Sequence, residues 1–376
     1  MNARFAMNWV NKVTLAALVL AAPLPAAETM VGGRASAVLE SPGAKLVVDL
    51  QGGSIVELRL GGDGVNPLVW ANRGPAEEAR PMSHFLCLDR WGAPSAAELE
   101  RGMVYHGEAT RVRWSLDAGP ETRRGALEAR MSARLPIAGL QVERTLRLAA
   151  DSACVRVEET VTNENKLGRV YNMVQHPTVG PPFLDAETLV DSNARQGFAQ
   201  SNPGPKYEEP SAWWPRALSE GLPVDMRRLI DSEEPNVVSY VVEDEYGWVT
   251  AASPTAGLLI GYLWKRSEYP WLNLWRRLDE DGKPLARGLE FGTTGLHQPF
   301  PTLVKKGAIF GRPLLDYLDA GESHTRSYLM FLAPIPADYR GVAELKRGDR
   351  EIELIERPGG PARDLHVSFE AVGLRP

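Results

Sequence analysis

Apolar residues recur along this chain mostly at every second position, in short runs broken by glycine, proline, asparagine or aspartate. Alternation of this kind sends one row of side chains into a core and the other toward solvent, as in a β-strand. Lys45–Leu50, Ser54–Leu60, Thr110–Leu116 and Ala126–Arg134 carry it early in the chain. Leu140, Val142, Leu146 and Leu148 continue it, and Val155, Val157 and Val161 face one way while Arg156 and Glu158 face the other. Val237–Val242, Trp248–Ala251, Leu258–Trp264, Ser327–Leu332, Glu351–Ile355 and Leu365–Phe369 complete the series. Helical periodicity is confined to Ala96–Arg101 and Ala337–Leu345. Many short strands with almost no helix between them predict an all-β protein, a large antiparallel β-sandwich and not a βαβ fold.

Between these runs, Gln196–Pro223 is rich in proline, glycine and aromatics, including Trp213 and Trp214, and reads as a long functional loop over the β scaffold. No internal repeat of fixed period is evident. At the start, Arg4 and Lys12 precede an apolar run, Val13–Leu20, and then small residues to Ala26 and Ala27. That order predicts a secretory signal over residues 1–27, followed by one β-sandwich domain over 28–376 and a periplasmic or secreted location. The apolar run is too short to span a bilayer comfortably, so no stable membrane insertion is expected after cleavage.

The 376 residues are 44% hydrophobic and 24% charged, which fits an ordinary globular protein. A formal charge of −6 without a basic cluster argues against a nucleic-acid partner. The two cysteines, Cys87 and Cys154, make neither a disulfide framework nor a zinc site. No metal or organic cofactor is expected, since no closely spaced His pair or His/Cys cluster is present.

Three segments concentrate titratable residues beside glycines: His84–Gly92 with Tyr105–Ala109, Tyr171–Gly180, and Arg287–Gln298. Glycine at a strand end lets a ligand approach the backbone closely. Ten tryptophans supply flat apolar faces, and Trp91, Trp213, Trp214, Trp271 and Trp275 fall near these segments. A sugar site needs such faces together with donors and acceptors for hydroxyls. Any single tryptophan is more often core, His176 is as readily a satisfied structural histidine, and Glu290 also fits a solvated strand position.

These segments resemble the galactose mutarotase-like (aldose 1-epimerase) superfamily. Tyr105-His106-Gly107, followed by Trp114, is similar to its first His-Gly element; His176 follows Glu158–Asn163 as its second histidine does; and Glu290 stands in a Gly-hydrophobic-Glu context. The late stretch Leu318–Ser327 resembles the family's closing turn and strand. The resemblance implies interconversion of α and β anomers of an aldose without a cofactor, with Glu290 as base, His176 as acid and His106 as a second donor. It further implies Asn72, Asp89, Arg90, Trp91, Gln175 and Trp275 as sugar contacts, with Asp89 and Asp185 both candidates for the family's sugar-gripping aspartate. Arg90 and Arg73 suit a hydroxyl, a carboxylate or a phosphate, or else pair with local acids. One departure stands out, since Pro177–Pro182 replaces the aromatics that often follow the second histidine. The expected partner is a small sugar or an oligosaccharide end. A noncatalytic carbohydrate-binding protein on the same fold is the alternative, and a polysaccharide-acting enzyme is a third reading.

Overall fold

The computed structural model describes residues 27–61, 63–71, 74–75, 77–200, 209–360 and 363–373. The expected export signal, but for Ala27, and the candidate contact Asn72 with its neighbour Arg73 lie outside the described residues.

Two antiparallel sheets face each other, one of fourteen strands and one of eight, with smaller sheets of three and two strands beside them. The middle of the large sheet runs, neighbour to neighbour, through His84–Asp89, Arg169–Val179, Pro284–Gly292, Trp271–Leu278, Val237–Val241 and Gln196–Ala199. The eight-stranded sheet centres on Leu258–Lys265, Ser323–Pro334, Cys154–Asn163 and Leu140–Ala149. Between them lies the main core, where Leu86, Met173, Leu289 and Phe291 of the first sheet join Leu146, Val157, Ile260 and Met330 of the second. Trp264 stacks on Phe291 with ring centroids 4.3 Å apart, tying the layers together.

The outer face of the eight-stranded sheet is covered by the C-terminal strands Val342–Arg347, Glu351–Glu356 and Leu365–Ser368, which place Ile352, Leu354 and Val367 against Leu329 and Phe331. Part of the outer face of the large sheet is covered by the helix Phe300–Lys306, through Phe300 and Leu303 on Phe198, Val241 and Trp271. What remains of that outer face, around His176 and Glu290, forms the floor of a cleft.

The all-β sandwich is the observed architecture, and three local expectations are corrected. Ala337–Leu345 is a turn leading into the strand Val342–Arg347, because Val342 packs into the core under that small sheet. Gln196–Pro223 is not one loop. Gln196–Ala199, Ala212–Trp213, Arg216–Ser219 and, at its end, Leu222–Asp225 form a meander that extends the large sheet, while 201–208 lie outside the described residues. Within Thr110–Leu116 the strand begins only at Ser115, since the buried Trp114 holds the preceding turn by donating from Nε1 to the Ala109 carbonyl at 2.9 Å. The cysteines Cys87 and Cys154 are both free and buried, on strands of different sheets.

Candidate active site

Period-two alternation on the central strands decides which side chains reach the cleft. On Arg169–Val179, His176 is paired in register with Phe85 of the neighbouring strand, and both rings stack on the cleft floor with centroids 4.1 Å apart. Across the other neighbour, Glu290 lies opposite Asn273 on the same outward face. Side chains of the opposite parity on these strands, such as Leu86, Met173 and Phe291, turn into the core between the sheets.

A cavity of about 490 Å³ opens over this floor. At its base the His176 Nε2 and Glu290 Oε1 atoms are 3.1 Å apart, and both residues are buried. The second carboxyl oxygen, Oε2, accepts the Trp91 indole N–H at 2.7 Å. Thr178 Oγ1 lies 3.0 Å from His176 Nδ1, and the Thr178 hydroxyl faces the His176 carbonyl at 3.5 Å. That hydroxyl oxygen therefore accepts the Nδ1 proton and leaves Nε2 to face the carboxyl. Two acceptors cannot hold a 3.1 Å contact without a proton between them, so the pair carries one shared proton and no net charge. Burial pushes the Glu290 carboxyl well above its usual range, opposed by the Trp91 hydrogen bond. It also pushes the His176 imidazole down to about 3.

The walls complete the site. Trp70 stacks with Phe85 at 6.0 Å and meets Trp275 edge-on at 5.6 Å, giving a continuous aromatic side. His106 enters from the opposite wall on a turn with φ of 66°, and Gly107 follows with φ of 78°. A Cβ at Gly107 would stand 1.9 Å from the Leu88 carbonyl oxygen, so this turn requires glycine. The Gly92 amide donates to His106 Nδ1 at 3.1 Å, which fixes the neutral ring with its proton on Nε2. Burial and the nearby rings of His176 and His297 hold His106 well below the ordinary histidine value. His297 packs edge-on to Trp91 at 4.6 Å, hydrogen-bonds through Nε2 to the Tyr105 hydroxyl at 3.0 Å, and is lowered by burial to about 4. Gln200 anchors the His297 backbone amide through Oε1 at 3.1 Å and donates to Ser239 Oγ at 2.7 Å.

Of the residues singled out in the sequence, His106, His176, Glu290, Trp91 and Trp275 line this one cavity. Gln175 does not. It neighbours His176 on one strand and so points between the sheets, where it donates to Glu159 Oε2 at 2.6 Å and contacts His84 at 3.3 Å. Asp89 and Arg90 also stay outside the lining, because Asp89 ends its strand with φ of 84° and is held by Arg90 and Arg169, and Arg90 also reaches Glu98. Asp185 is spent on a turn, accepting from the Glu187 amide. Trp271 is packed beneath the helix Phe300–Lys306. Trp213 and Trp214 border a separate hollow of about 920 Å³ whose lining contains no histidine. The smaller cavity is the candidate because it combines aromatic walls with convergent titratable groups of shifted pKa. Phe85, Tyr105 and His297, from the segments singled out in the sequence, join it, and Trp70, Arg111 and Gln200 do so without a signal in their spacing. Among the described residues no group of three His, Cys, Asp or Glu side chains is arranged to hold a metal ion. No helix of the described residues is long and apolar enough to cross a membrane.

The fold is that of the galactose mutarotase-like proteins. It is similar to a galactose mutarotase related enzyme from Lactobacillus acidophilus, with a TM-score of 0.57 at 10% identity over 80% of this chain and 98% of that one. A galactose mutarotase-like protein from Clostridium acetobutylicum superposes with a TM-score of 0.56 at 12% identity over 82% of this chain and 98% of the other. A further one, from Lactobacillus casei, gives 0.54 at 16% identity over 79% and 100%. Residues 88–300, more than half of the chain, match the family described as a domain of unknown function, DUF4432, and the chain belongs to that family. No curated protein matches the chain in sequence.

Proposed function

We propose that this protein interconverts the α and β anomers of an aldose by acid–base catalysis at the Glu290–His176 pair. The observation that carries the reading is the 3.1 Å contact between Glu290 Oε1 and His176 Nε2 at the base of an aromatic-walled cavity. Anomer exchange removes a proton from the C1 hydroxyl and delivers one to the ring oxygen. A pair sharing one proton suits both halves of that step. In the form with Glu290 ionised and His176 protonated, the carboxylate takes the C1 hydroxyl proton while Nε2–H protonates the ring oxygen. The C1–ring oxygen bond breaks and the carbonyl forms. The pair is left as a neutral acid and a neutral imidazole, which is its other tautomer. Rotation about the C1–C2 bond and reversal of the transfers close the ring on the opposite face. Net charge in the buried site is unchanged throughout, so no charge is created in a poorly solvated place. His106 Nε2–H supplies a further donor to the ring oxygen or a hydroxyl, and Trp91 restricts the carboxyl to one rotamer. The names of the structural relatives, a galactose mutarotase related enzyme and mutarotase-like proteins, agree with this chemistry. The basic, apolar and small-residue order of residues 1–27 supports an exported location.

Proton exchange spectroscopy of anomeric signals with a panel of aldoses tests the reading. The expected result is faster α/β exchange with the wild type and a loss of about 10²-fold or more in Glu290→Gln, the range of a removed general acid–base group. Sugar binding without acceleration for any aldose would favour the noncatalytic carbohydrate-binding alternative.

A further inference from the structure

Most of the titratable groups lining the cavity leave it without net charge. Glu290 and His176 compensate each other, and His106 and His297 are held neutral by burial. Arg111 stands apart. It lines the mouth of the cavity and is exposed, and among the described residues its side chain has no hydrogen-bond or ion-pair partner. The nearest acid in sequence cannot neutralise it. Glu108 is buried, and its two carboxyl oxygens are occupied by the Ile137 amide at 3.1 Å and the Ala138 amide at 2.6 Å. Other arginines of the region are committed elsewhere: Arg90 to Asp89 and Glu98, and Arg113 to Glu28 at 2.6 Å.

The backbone that carries Arg111 is firmly built. Its amide donates to the Glu108 carbonyl at 2.7 Å, Ala109 and Thr110 are fully buried, and Trp114 closes the turn onto Leu50. A cleft with apolar walls and one uncompensated cation focuses a positive field on whatever enters. Guanidinium presents a planar fork of donors that matches a carboxylate or another oxyanion with two parallel charge-assisted hydrogen bonds.

We propose that the sugar taken by this cleft carries an anionic substituent, best a carboxylate as in a uronic acid, and that Arg111 binds it at the mouth. This rests on the reading of the cavity as a sugar site. Its test is the ratio of affinities, which does not depend on turnover. Full-length protein is titrated by calorimetry with galacturonate, glucuronate, galactose, glucose and glucose 6-phosphate, and the series is repeated with Arg111→Gln, Arg111→Lys and the control Arg113→Gln.

The expected result is a uronate affinity about ten-fold above that of the parent neutral sugar, the size of one charge-assisted hydrogen-bonded contact. That advantage should shrink as salt is added. It should collapse to about one in Arg111→Gln, survive in part in Arg111→Lys and be intact in Arg113→Gln. A larger advantage for the phosphate that collapses in the same way supports the anionic substituent and names it as phosphoryl. Equal affinities for charged and neutral sugars in the wild type, or an advantage that survives Arg111→Gln, overturns the proposal while leaving the anomerase reading standing. Absence of binding by every sugar overturns both.

Discussion

Glu290 and His176 behave as one titrating unit, so their pH dependence differs from that of a lone histidine. Burial lowers His176 to about 3 and raises Glu290 well above its usual range. The pair therefore gains a second proton only in strong acid and keeps its single proton well above the pH where a free carboxyl ionises. The rate of the proposed anomer exchange should be level from about pH 5 to about pH 7. A rate that instead follows a midpoint near 6.5, measured by the same exchange spectroscopy, would mean that His176 titrates alone. A second expectation concerns Gly92, whose φ is 104° and where an added Cβ would stand 2.9 Å from His297 Nε2. Gly92→Ala should cost about 1–3 kcal/mol from backbone strain. It should also slow the proposed anomer exchange by displacing His297, as a melting curve and an exchange rate would show together. That His106, His176 and Glu290 share one cavity was legible in the sequence because each sits in a short segment, with glycine at or near it, that carries the family resemblance. His297 stood in the same glycine-rich segment as Glu290, but its packing did not show, since its place depends on the bare Cα of a glycine some two hundred positions away in the chain. Gln175 was misplaced for a plainer reason: next to His176 on a strand, it must point the opposite way.

At the scale of strands, alternation identified those with one solvated or polar face, such as Ala126–Leu135 and Leu140–Ala149. Val237–Val241 apart, it did not reveal the strands that build the cleft. All six residues of His84–Asp89 are buried, and Trp271–Leu278 and Pro284–Gly292 are largely covered on both faces, so neither row of side chains needs to be polar. The interior between these strands and the second sheet is not wholly apolar. Arg144 Nε donates to Glu159 Oε1 at 2.7 Å and lies over Trp114, and Gln175 joins Glu159 to His84. This chain of contacts ties the floor of the cleft to the eight-stranded sheet. Arg144→Met should leave the Glu159 carboxylate buried without its cation and cost about 3–5 kcal/mol. Arg144→Met with Glu159→Leu should recover much of that loss. Urea denaturation of the two variants checks the order, and a double variant weaker than the single one would show that the ion pair itself stabilises the packing of the sheets.

Across the whole molecule, the same burial that shapes the site sets how the fold responds to acid. His84 sits at the centre of the sandwich, 3.3 Å from both Gln175 Oε1 and Tyr328 Oη, and burial, with Arg144 nearby, lowers it to about 3. In the unfolded chain it titrates near the ordinary value of about 6.5. The unfolded state therefore binds the additional proton, and stability must fall as pH drops below about 6.5, by up to about 1.4 kcal/mol per pH unit for this one group, until the folded value is reached. His297, lowered to about 4, and His106, held well below the ordinary histidine value, add to the slope over the upper part of that window. The Glu290–His176 pair contributes little between about pH 4.5 and 6.5, where its one shared proton equals the single proton its members hold when unfolded. Denaturant midpoints taken at intervals from about pH 7 down to pH 5 should thus decline steadily. His84→Gln, which retains a polar side chain beside Gln175 and Tyr328, should reduce the slope by one proton's worth whatever it does to stability at pH 7. An unchanged slope would mean that His84 finds a way to charge inside the sandwich. A slope reduced by one would establish that His84 stays neutral between the two sheets and supplies one proton's share of the acid sensitivity, independently of any sugar in the cleft.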